Sequence, residues 1–189
     1  MAVNPAIETI SPQERKFFIQ LSGSPGSGKS TLATHLAPPI NAVIFSHDSV
    51  RSTLLASLPF DAAAKFTYEI GWTIAHDLME QTKNVIMDST CNYQETLDRG
   101  EELAREGGFE YWYVECLVED GELLDRRLKG RRAMRSQRTG VGSEGAPRDA
   151  GGKVVNRKPV RLMWERCVVV DSTKGVEMCC EEVLRRLGV

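Results

Sequence analysis

The chain has 189 residues, of which 41% are hydrophobic and 26% charged, proportions that are usual for a globular domain. Its 24 Lys and Arg residues against 26 Asp and Glu residues give a formal net charge of −2, which excludes a global basic field for nucleic acid or an anionic membrane. No apolar run approaches the roughly 18 residues of a membrane span, and the N-terminus lacks the basic and apolar segments of a signal peptide. We therefore expect one cytoplasmic domain over residues 1–189, with no membrane contact and no evident obligate protein partner.

The chain contains five cysteines, an odd number. They form no CxxC pair, and no histidine lies at a zinc-ligand spacing from them. This pattern favours reduced thiols, buried mostly in strands and one helix, over a disulfide framework or a zinc site. The cysteines are Cys91, Cys116, Cys167, Cys179 and Cys180.

Apolar strand-like segments alternate with helix-like segments along the chain. The predicted strands cover Lys16–Leu21, Ala42–Phe45, Asn84–Met87, Tyr111–Val118 and Cys167–Val170. The predicted helices cover Lys29–Ala37, Ala62–Gln81, Gln94–Glu106, Glu122–Arg135 and Glu177–Leu187. This alternation predicts an α/β fold with a parallel sheet, right-handed crossovers and helices on both faces, and a ligand at the carboxyl ends of the strands. In the second helix, the spacing of four predicts that one apolar stripe faces the core; it consists of Phe66, Ile70, Ile74 and Leu78.

A phosphate-binding loop follows the first predicted strand. Residues 23–30 read GSPGSGKS and match G-x-x-x-x-G-K-[ST] at the start of a predicted helix. The glycines turn backbone N–H groups toward an anion, and the helix N-terminus adds its positive end. Lys29 supplies a positive charge to the outer phosphates, and the Ser30 hydroxyl supplies a ligand for Mg²⁺. The expected nucleotide-binding residues are Gly23, Ser24, Pro25, Gly26, Ser27, Gly28, Lys29, Ser30 and Thr31.

Two carboxylates follow predicted strands: Asp48 comes after the second and Asp88 after the third. We expect both strands to neighbour the phosphate-loop strand, so that one carboxylate holds Mg²⁺ and the other acts as a base on an acceptor hydroxyl. The alternative for each is a helix N-cap. Arg51 lies about one helical turn after Asp48 and is expected to bind an anionic or polar acceptor, unless it is a solvated surface arginine. His47 is expected to point away, because neighbouring side chains alternate along an extended backbone.

A run of seven basic and no acidic residues lies between Arg126 and Arg138. Arg127, Arg131 and Arg135 are spaced by four, which predicts one helix face, and the glycine-rich segment from Thr139 to Gly152 follows. We interpret residues 126–157 as a lid over the phosphates, with Arg131 and Arg127 as catalytic arginines. The alternatives are a solvated helix face and an RNA-contacting patch.

Four stretches carry a resemblance to a known group of enzymes: GSPGSGKS, SHDSVR, VIMDST and RRLKGRRAMR, in this order. They resemble the P-loop kinases that include polynucleotide 5′-kinases, zeta-toxin-like kinases, gluconokinases and chloramphenicol phosphotransferases. The resemblance implies a five-stranded sheet with the phosphate-loop strand in the middle. It also implies transfer of the γ-phosphate of Mg·ATP to a hydroxyl of a small molecule or a polynucleotide 5′ end, with ATP and Mg²⁺ as cofactors. Through its D-x-x-R element it implies that Asp48 is the general base and that Asp48 and Arg51 bind the acceptor, which leaves Ser30 and Asp88 for the metal.

Other functions fit the sequence less well. Val176 stands where the [NT]KxD motif of a GTPase requires Asp, and Asp88 is followed by Ser89 in place of a water-activating Glu. DSTCNY departs from the D-x-T-N of the polynucleotide-kinase branch, because Cys91 separates Thr90 from Asn92. The alternative function is a nucleotide-binding switch or docking module without productive phosphotransfer. For the aromatic residues of the expected acceptor segment, helix core is favoured over stacking on a base; they are Phe60, Phe66, Tyr68 and Trp72.

Overall fold

The computed structural model describes residues 15–141 and 165–189. The lead-in, most of the glycine-rich segment and the second half of the expected lid lie outside these ranges. The strands are β1 (Phe17–Ser22), β2 (Ala42–Ser46), β3 (Asn84–Asp88), β4 (Glu110–Leu117) and β5 (Cys167–Asp171). The helices are α1 (Lys29–Leu36), α2 (His47–Leu54), α3 (Phe60–Glu80), α4 (Gln94–Gly107), α5 (Gly121–Gly130) and α6 (Val176–Leu187).

The strands of the described ranges form a five-stranded parallel sheet in the order β2-β3-β1-β4-β5. The phosphate-loop strand β1 is in the middle, as the resemblance implied. The expectation that β2 adjoins β1 is wrong, because β3 lies between them, with Ser46 of β2 paired to Asp88 of β3. Asp48, which follows β2, therefore lies one strand further from the phosphate loop than Asp88 does.

Apolar side chains fill both sides of the sheet, and every residue of β1 is buried. On one side Ile19 and Leu21 pack in a cluster with residues of α1 and α6. On the other side Phe18 and Met87 pack in a cluster with residues of α3 and α4. This two-sided burial explains why the sequence of β1 is apolar without alternation.

Within the described ranges, no helix has both the length and the apolar character that a bilayer span requires.

Helix α3 packs with a face that only partly matches the predicted stripe, of which Ile70 and Leu78 are partly buried against the core. Phe66 and Ile74 are 44% and 40% exposed, and the buried line consists of Ala63, Thr67, Gly71, Ala75 and Met79. The reason is the close approach of the helix to the sheet: a Cβ on Gly71 would lie 2.9 Å from Cε1 of Phe45. Small side chains allow this approach, whereas the larger stripe would hold the helix away from β2.

Helix α5 is shorter than the predicted Glu122–Arg135. The side chain of Asp120 caps its first turn by accepting from the backbone N–H groups of Glu122 and Leu123. The helix ends at Gly130, a poor helix former, and Arg131 has an extended conformation with φ −99° and ψ 152°. Arg127, Arg131 and Arg135 therefore do not share one helix face.

All five cysteines are free thiols, as predicted. Cys116 and Cys167 lie in strands and Cys179 and Cys180 in α6. Cys91 lies in the loop after β3, where it is fully buried and donates to the carbonyl oxygen of Leu21.

Candidate active site

The phosphate loop connects β1 to α1 and depends on glycine at a close approach to β4. Gly23 has φ +131°, and a Cβ there would lie 2.3 Å from the carbonyl oxygen of Cys116. Any other residue would push the loop away from the sheet. Gly28 has φ +97° with open space around its Cα, so at this position the left-handed backbone itself requires glycine. The loop therefore has a fixed path that ends at the N-terminus of α1.

Lys29 begins α1 and is only 9% exposed. Its ammonium group donates to the carbonyl oxygens of Gly23 at 2.8 Å and Ser24 at 3.0 Å. Burial lowers the pKa of this lysine, and the negative charge of Asp88 opposes that effect. The loop thus holds a cation close to the carboxylates of the cleft.

Asp88 ends β3 and is 8% exposed. Burial raises the pKa of its carboxyl group, while a hydrogen bond from Ser30 and the charge of Lys29 lower it. The Ser30 hydroxyl and the Asp88 carboxylate, which were expected to hold Mg²⁺, are therefore in contact. Oxygen atoms are the ligands that Mg²⁺ prefers. No group of three His, Cys, Asp or Glu residues suited to a metal occurs in the described part of the chain. Two protein ligands, with water and phosphate completing the shell, is a common form for Mg²⁺.

Asp48 lies in the first turn of α2, close enough for its charge to act on both Asp88 and Lys29. It is not the N-cap, because Ser46 has that role and accepts from the backbone N–H of Ser49. One carboxylate oxygen of Asp48 accepts from Nε2 of Gln137 at 2.9 Å. Asp88 does not cap a helix either, since α4 is preceded by Tyr93. The N-cap alternative is therefore wrong for both carboxylates.

Arg51 contacts His47 one helical turn earlier. Its Nη2 atom donates to Nδ1 of His47 at 2.7 Å, and its guanidinium carbon lies 5.8 Å from the centroid of the Phe60 ring. The expectation that His47 points away from the cleft is wrong, because His47 is the first residue of α2 and not part of an extended segment. It is 3% exposed and lines the cleft.

The burial of His47 makes the stability of the protein sensitive to acid. Burial, and secondarily the charge of Arg51, lower the pKa of His47 from 6.5 to about 3. Because the unfolded chain takes up this proton below about pH 6.5 and the folded chain does not, folding stability is lost as the pH falls through that range. We expect a loss of about 1.4 kcal/mol per pH unit between pH 6 and pH 4 relative to His47→Phe. Urea unfolding of both proteins across this range measures the difference, and a constant difference would contradict the prediction.

The three expected lid arginines have different surroundings. Arg127 donates from Nη2 to the carbonyl oxygen of Ser172 at 2.9 Å and lies 3.5 Å from that of Gly26, so it connects the phosphate loop to the β5–α6 loop. Arg131 lines the cleft and has a buried Nε with no partner among the described residues. Arg135 does not line this cleft; it donates to the carbonyl oxygen of Leu55 at 2.9 Å.

Residues 134–137 pack against α2 beside Asp48. Ser136 exchanges hydrogen bonds with the hydroxyl of Ser52 at 2.9 and 3.1 Å and donates to the carbonyl oxygen of Asp48 at 2.9 Å. Together with Gln137 it brings the chain after α5 to the side of the cleft that contains Asp48. Sequence reasoning missed Ser136 and Gln137, because Ser and Gln in a basic run match no motif.

These residues enclose one cavity of about 750 Å³ at the carboxyl ends of the strands. All the residues predicted for the site line it: Gly23, Ser24, Pro25, Gly26, Ser27, Gly28, Lys29, Ser30, Thr31, Asp48, Arg51, Asp88, Arg127 and Arg131. The cavity wall also contains side chains to which the sequence assigned no site role: His47, Phe60, Asn92, Ser136, Gln137 and Arg138. The size suits a nucleotide with a small acceptor.

Comparisons with known proteins agree with this geometry. A family model described as "AAA domain" matches residues 18–145, and no curated protein matches the chain. The Mycobacterium tuberculosis APS kinase CysC in complex with AMPPNP and APS is 17% identical, with 93% of this chain and 99% of that chain covered and a TM-score of 0.67. A gluconokinase from Sinorhizobium meliloti 1021 is 18% identical, with 92% and 94% covered and a TM-score of 0.56. A sugar kinase from Janibacter sp. HTCC2649 is 16% identical, with 93% and 95% covered and a TM-score of 0.62. The predicted P-loop kinase fold is confirmed.

Proposed function

From the membership of this chain in the AAA domain family, we propose that it is an ATP-dependent phosphotransferase. It moves the γ-phosphate of Mg·ATP to a hydroxyl of a small molecule or of a polynucleotide 5′ end. The observation that carries the proposal is the position of Asp48, which lines the same cavity as the phosphate loop but lies one strand beyond Asp88. A protein that only binds nucleotide has no use for a second carboxylate in the cleft beside the one that would hold the metal.

The phosphate loop and Arg127 hold the nucleotide in this proposal. Backbone N–H groups of the loop and the N-terminus of α1 bind the β- and γ-phosphates, with the charge of Lys29 beside them. Ser30 and Asp88 would hold Mg²⁺, which would offset part of the charge of the phosphates. Arg127 keeps the loop beside Ser172 and the β5–α6 loop, where the rest of the nucleotide fits.

The acceptor binds in the cavity on the side of α2, where Asp48 and Arg51 line the wall. Asp48 accepts the proton of the acceptor hydroxyl as the new O–P bond forms and the bond between the γ-phosphorus and the bridging oxygen breaks, so that ADP leaves. Its hydrogen bond from Gln137 orients the carboxylate. Arg51 binds the acceptor beside Asp48, and Arg131 meets the charge that develops on the transferring phosphoryl group.

The free thiols of all five cysteines support the proposal that the enzyme works in the cytoplasm.

Transfer from γ-labelled ATP to pooled acceptors tests this function. The pools are sugars and sugar acids, nucleosides, and oligonucleotides with a 5′-hydroxyl, and Lys29→Ala provides the background. We expect label in an organic phosphate ester from one pool. Tight Mg·ATP binding without an ester from any pool would favour a nucleotide-binding switch or docking module.

Arg131→Ala is expected to lower the rate of transfer about 100-fold or more while changing the Kd of Mg·ATP less than about fivefold. The charge that Arg131 meets is largest in the transition state, so its loss affects the chemical step more than binding. The matched control is Arg132→Ala, because Arg132 is exposed and does not line the cavity. Equal losses in transfer and in ATP affinity would mean that Arg131 binds the ground state and not the transition state.

A further inference from the structure

The contact between His47 and Arg51 fixes the protonation state of the histidine. A guanidinium group only donates hydrogen bonds, so Nδ1 of His47 accepts from Nη2 of Arg51 at 2.7 Å. The imidazole is therefore neutral and carries its proton on Nε2. It binds the arginine through an acceptor atom without neutralising the positive charge.

The surroundings of His47 fix the direction in which that acceptor atom points. Its ring centroid lies 4.2 Å from that of Tyr68 and 6.5 Å from that of Phe45, and the residue is 3% exposed. The guanidinium of Arg51 also lies over Phe60. Arg51 is thus held by a hydrogen bond and by an aromatic ring, and its Nε is buried without a partner among the described residues.

The charge of the cavity exceeds what Mg·ATP neutralises. Among described residues, five cationic side chains line it against the two carboxylates of Asp48 and Asp88; the cations are Lys29, Arg51, Arg127, Arg131 and Arg138. Mg·ATP brings about two net negative charges, since the triphosphate carries about four and the metal offsets two. The cavity therefore keeps a net positive charge when Mg·ATP is bound. Arg51 lies on α2, the same helix as Asp48, and so on the side proposed for the acceptor.

We infer that His47 is a positioning residue that holds Arg51 for an anionic group, a carboxylate or a phosphate, on the acceptor alcohol. The inference rests on the proposed function and adds the class of acceptor. His47 does not touch the reacting atoms; it sets where the donors of Arg51 point. A neutral base suits this role, because a carboxylate in the same place would satisfy the arginine and weaken its attraction for an anion.

Two substitutions separate this role from simple packing. His47→Asn keeps an acceptor atom, because Oδ1 of Asn occupies the place of Nδ1, but it removes the ring. His47→Phe keeps a ring against Tyr68 but removes the acceptor. The inference predicts that Asn preserves the function of Arg51 and that Phe does not, whereas a packing role predicts the reverse. The exposed His76 provides the controls His76→Asn and His76→Phe.

The readout is the Nε–H signal of Arg51 in an NMR spectrum of labelled arginine, assigned by its loss in Arg51→Lys. Inorganic phosphate is titrated into the protein loaded with Mg·AMPPNP, which occupies the phosphate loop. We expect phosphate to shift the signal in the wild type and in His47→Asn with similar affinity, and to bind at least about tenfold more weakly in His47→Phe. The His76 variants are expected to match the wild type.

The inference is overturned if phosphate does not shift the Arg51 signal in the wild type, if His47→Phe binds it as the wild type does, or if His47→Asn loses as much affinity as His47→Phe. None of these results depends on finding the acceptor. A failure of phosphotransfer in the acceptor pools would instead count against the proposed function alone. With an acceptor in hand, His47→Phe is expected to raise the acceptor KM more than it lowers kcat.

Discussion

Lys29→Ala is expected to lower phosphotransfer at least about a thousandfold while the protein remains folded. The ammonium group is buried at the phosphate loop and is bound there by the carbonyl oxygens of Gly23 and Ser24. No other lysine lines the cavity among the described residues, so no nearby lysine can replace its charge at the phosphates. Charge stabilisation of this kind is a major part of catalysis by P-loop enzymes.

The measurement compares transfer rates and thermal unfolding of Lys29→Ala and Lys129→Ala. Lys129 lies on the exposed surface of α5 in an ion pair with Asp125, so its loss is expected to leave transfer unchanged and stability within about 1 kcal/mol. A folded Lys29→Ala protein with normal transfer would refute the assignment of the phosphate loop.

Asp48→Asn is expected to lower transfer about 100-fold or more with little change in Mg·ATP affinity. A base acts only in the chemical step, and Asp48 lies on α2, where Gln137 donates to its carboxylate. Asp88→Asn is expected to weaken both nucleotide binding and its dependence on Mg²⁺, because Asp88 contacts Ser30 and lies near Lys29. Both changes are isosteric, which limits effects on packing.

Titration of Mg·ATP and of Mg²⁺ with each variant, together with transfer rates, distinguishes the two roles. Exchanged phenotypes would mean that Asp88 is the base and Asp48 the metal ligand. Normal transfer by Asp48→Asn would remove the general base from the mechanism and would contradict the role that the D-x-x-R resemblance implies.

The central part of the fold and site could be predicted because its causes are local in sequence. The loop from Gly23 to Ser30 contains its own glycines, lysine and helix start, and β1 is apolar on both faces because it lies in the middle of the sheet. Asp48 and Asp88 directly follow or end apolar strands, which predicts that both lie at the carboxyl edge of the sheet. The sequence signal for each of these features lies in residues within a few positions of each other, even though the sheet itself joins distant segments.

The errors concern contacts between distant segments. The small face of α3 depends on Phe45 approaching Gly71, which the apolar stripe of the helix does not reveal. Arg135 was grouped with Arg127 because their spacing is helical, but α5 ends at Gly130 and the following residues bind α2. The expectation that His47 points away from the cleft failed because its orientation depends on how α2 packs on α3, where His47 contacts Tyr68.

A single turnover of γ-labelled Mg·ATP with the preferred acceptor tests the central claim most directly. The quenched reaction is separated into organic phosphate ester, inorganic phosphate and remaining ATP. We predict that ester forms much faster than inorganic phosphate in the wild type, and that Asp48→Asn slows ester formation about 100-fold or more with ATP still bound. Label that appears only in inorganic phosphate, or that stays in bound ATP for every acceptor tried, would contradict the account.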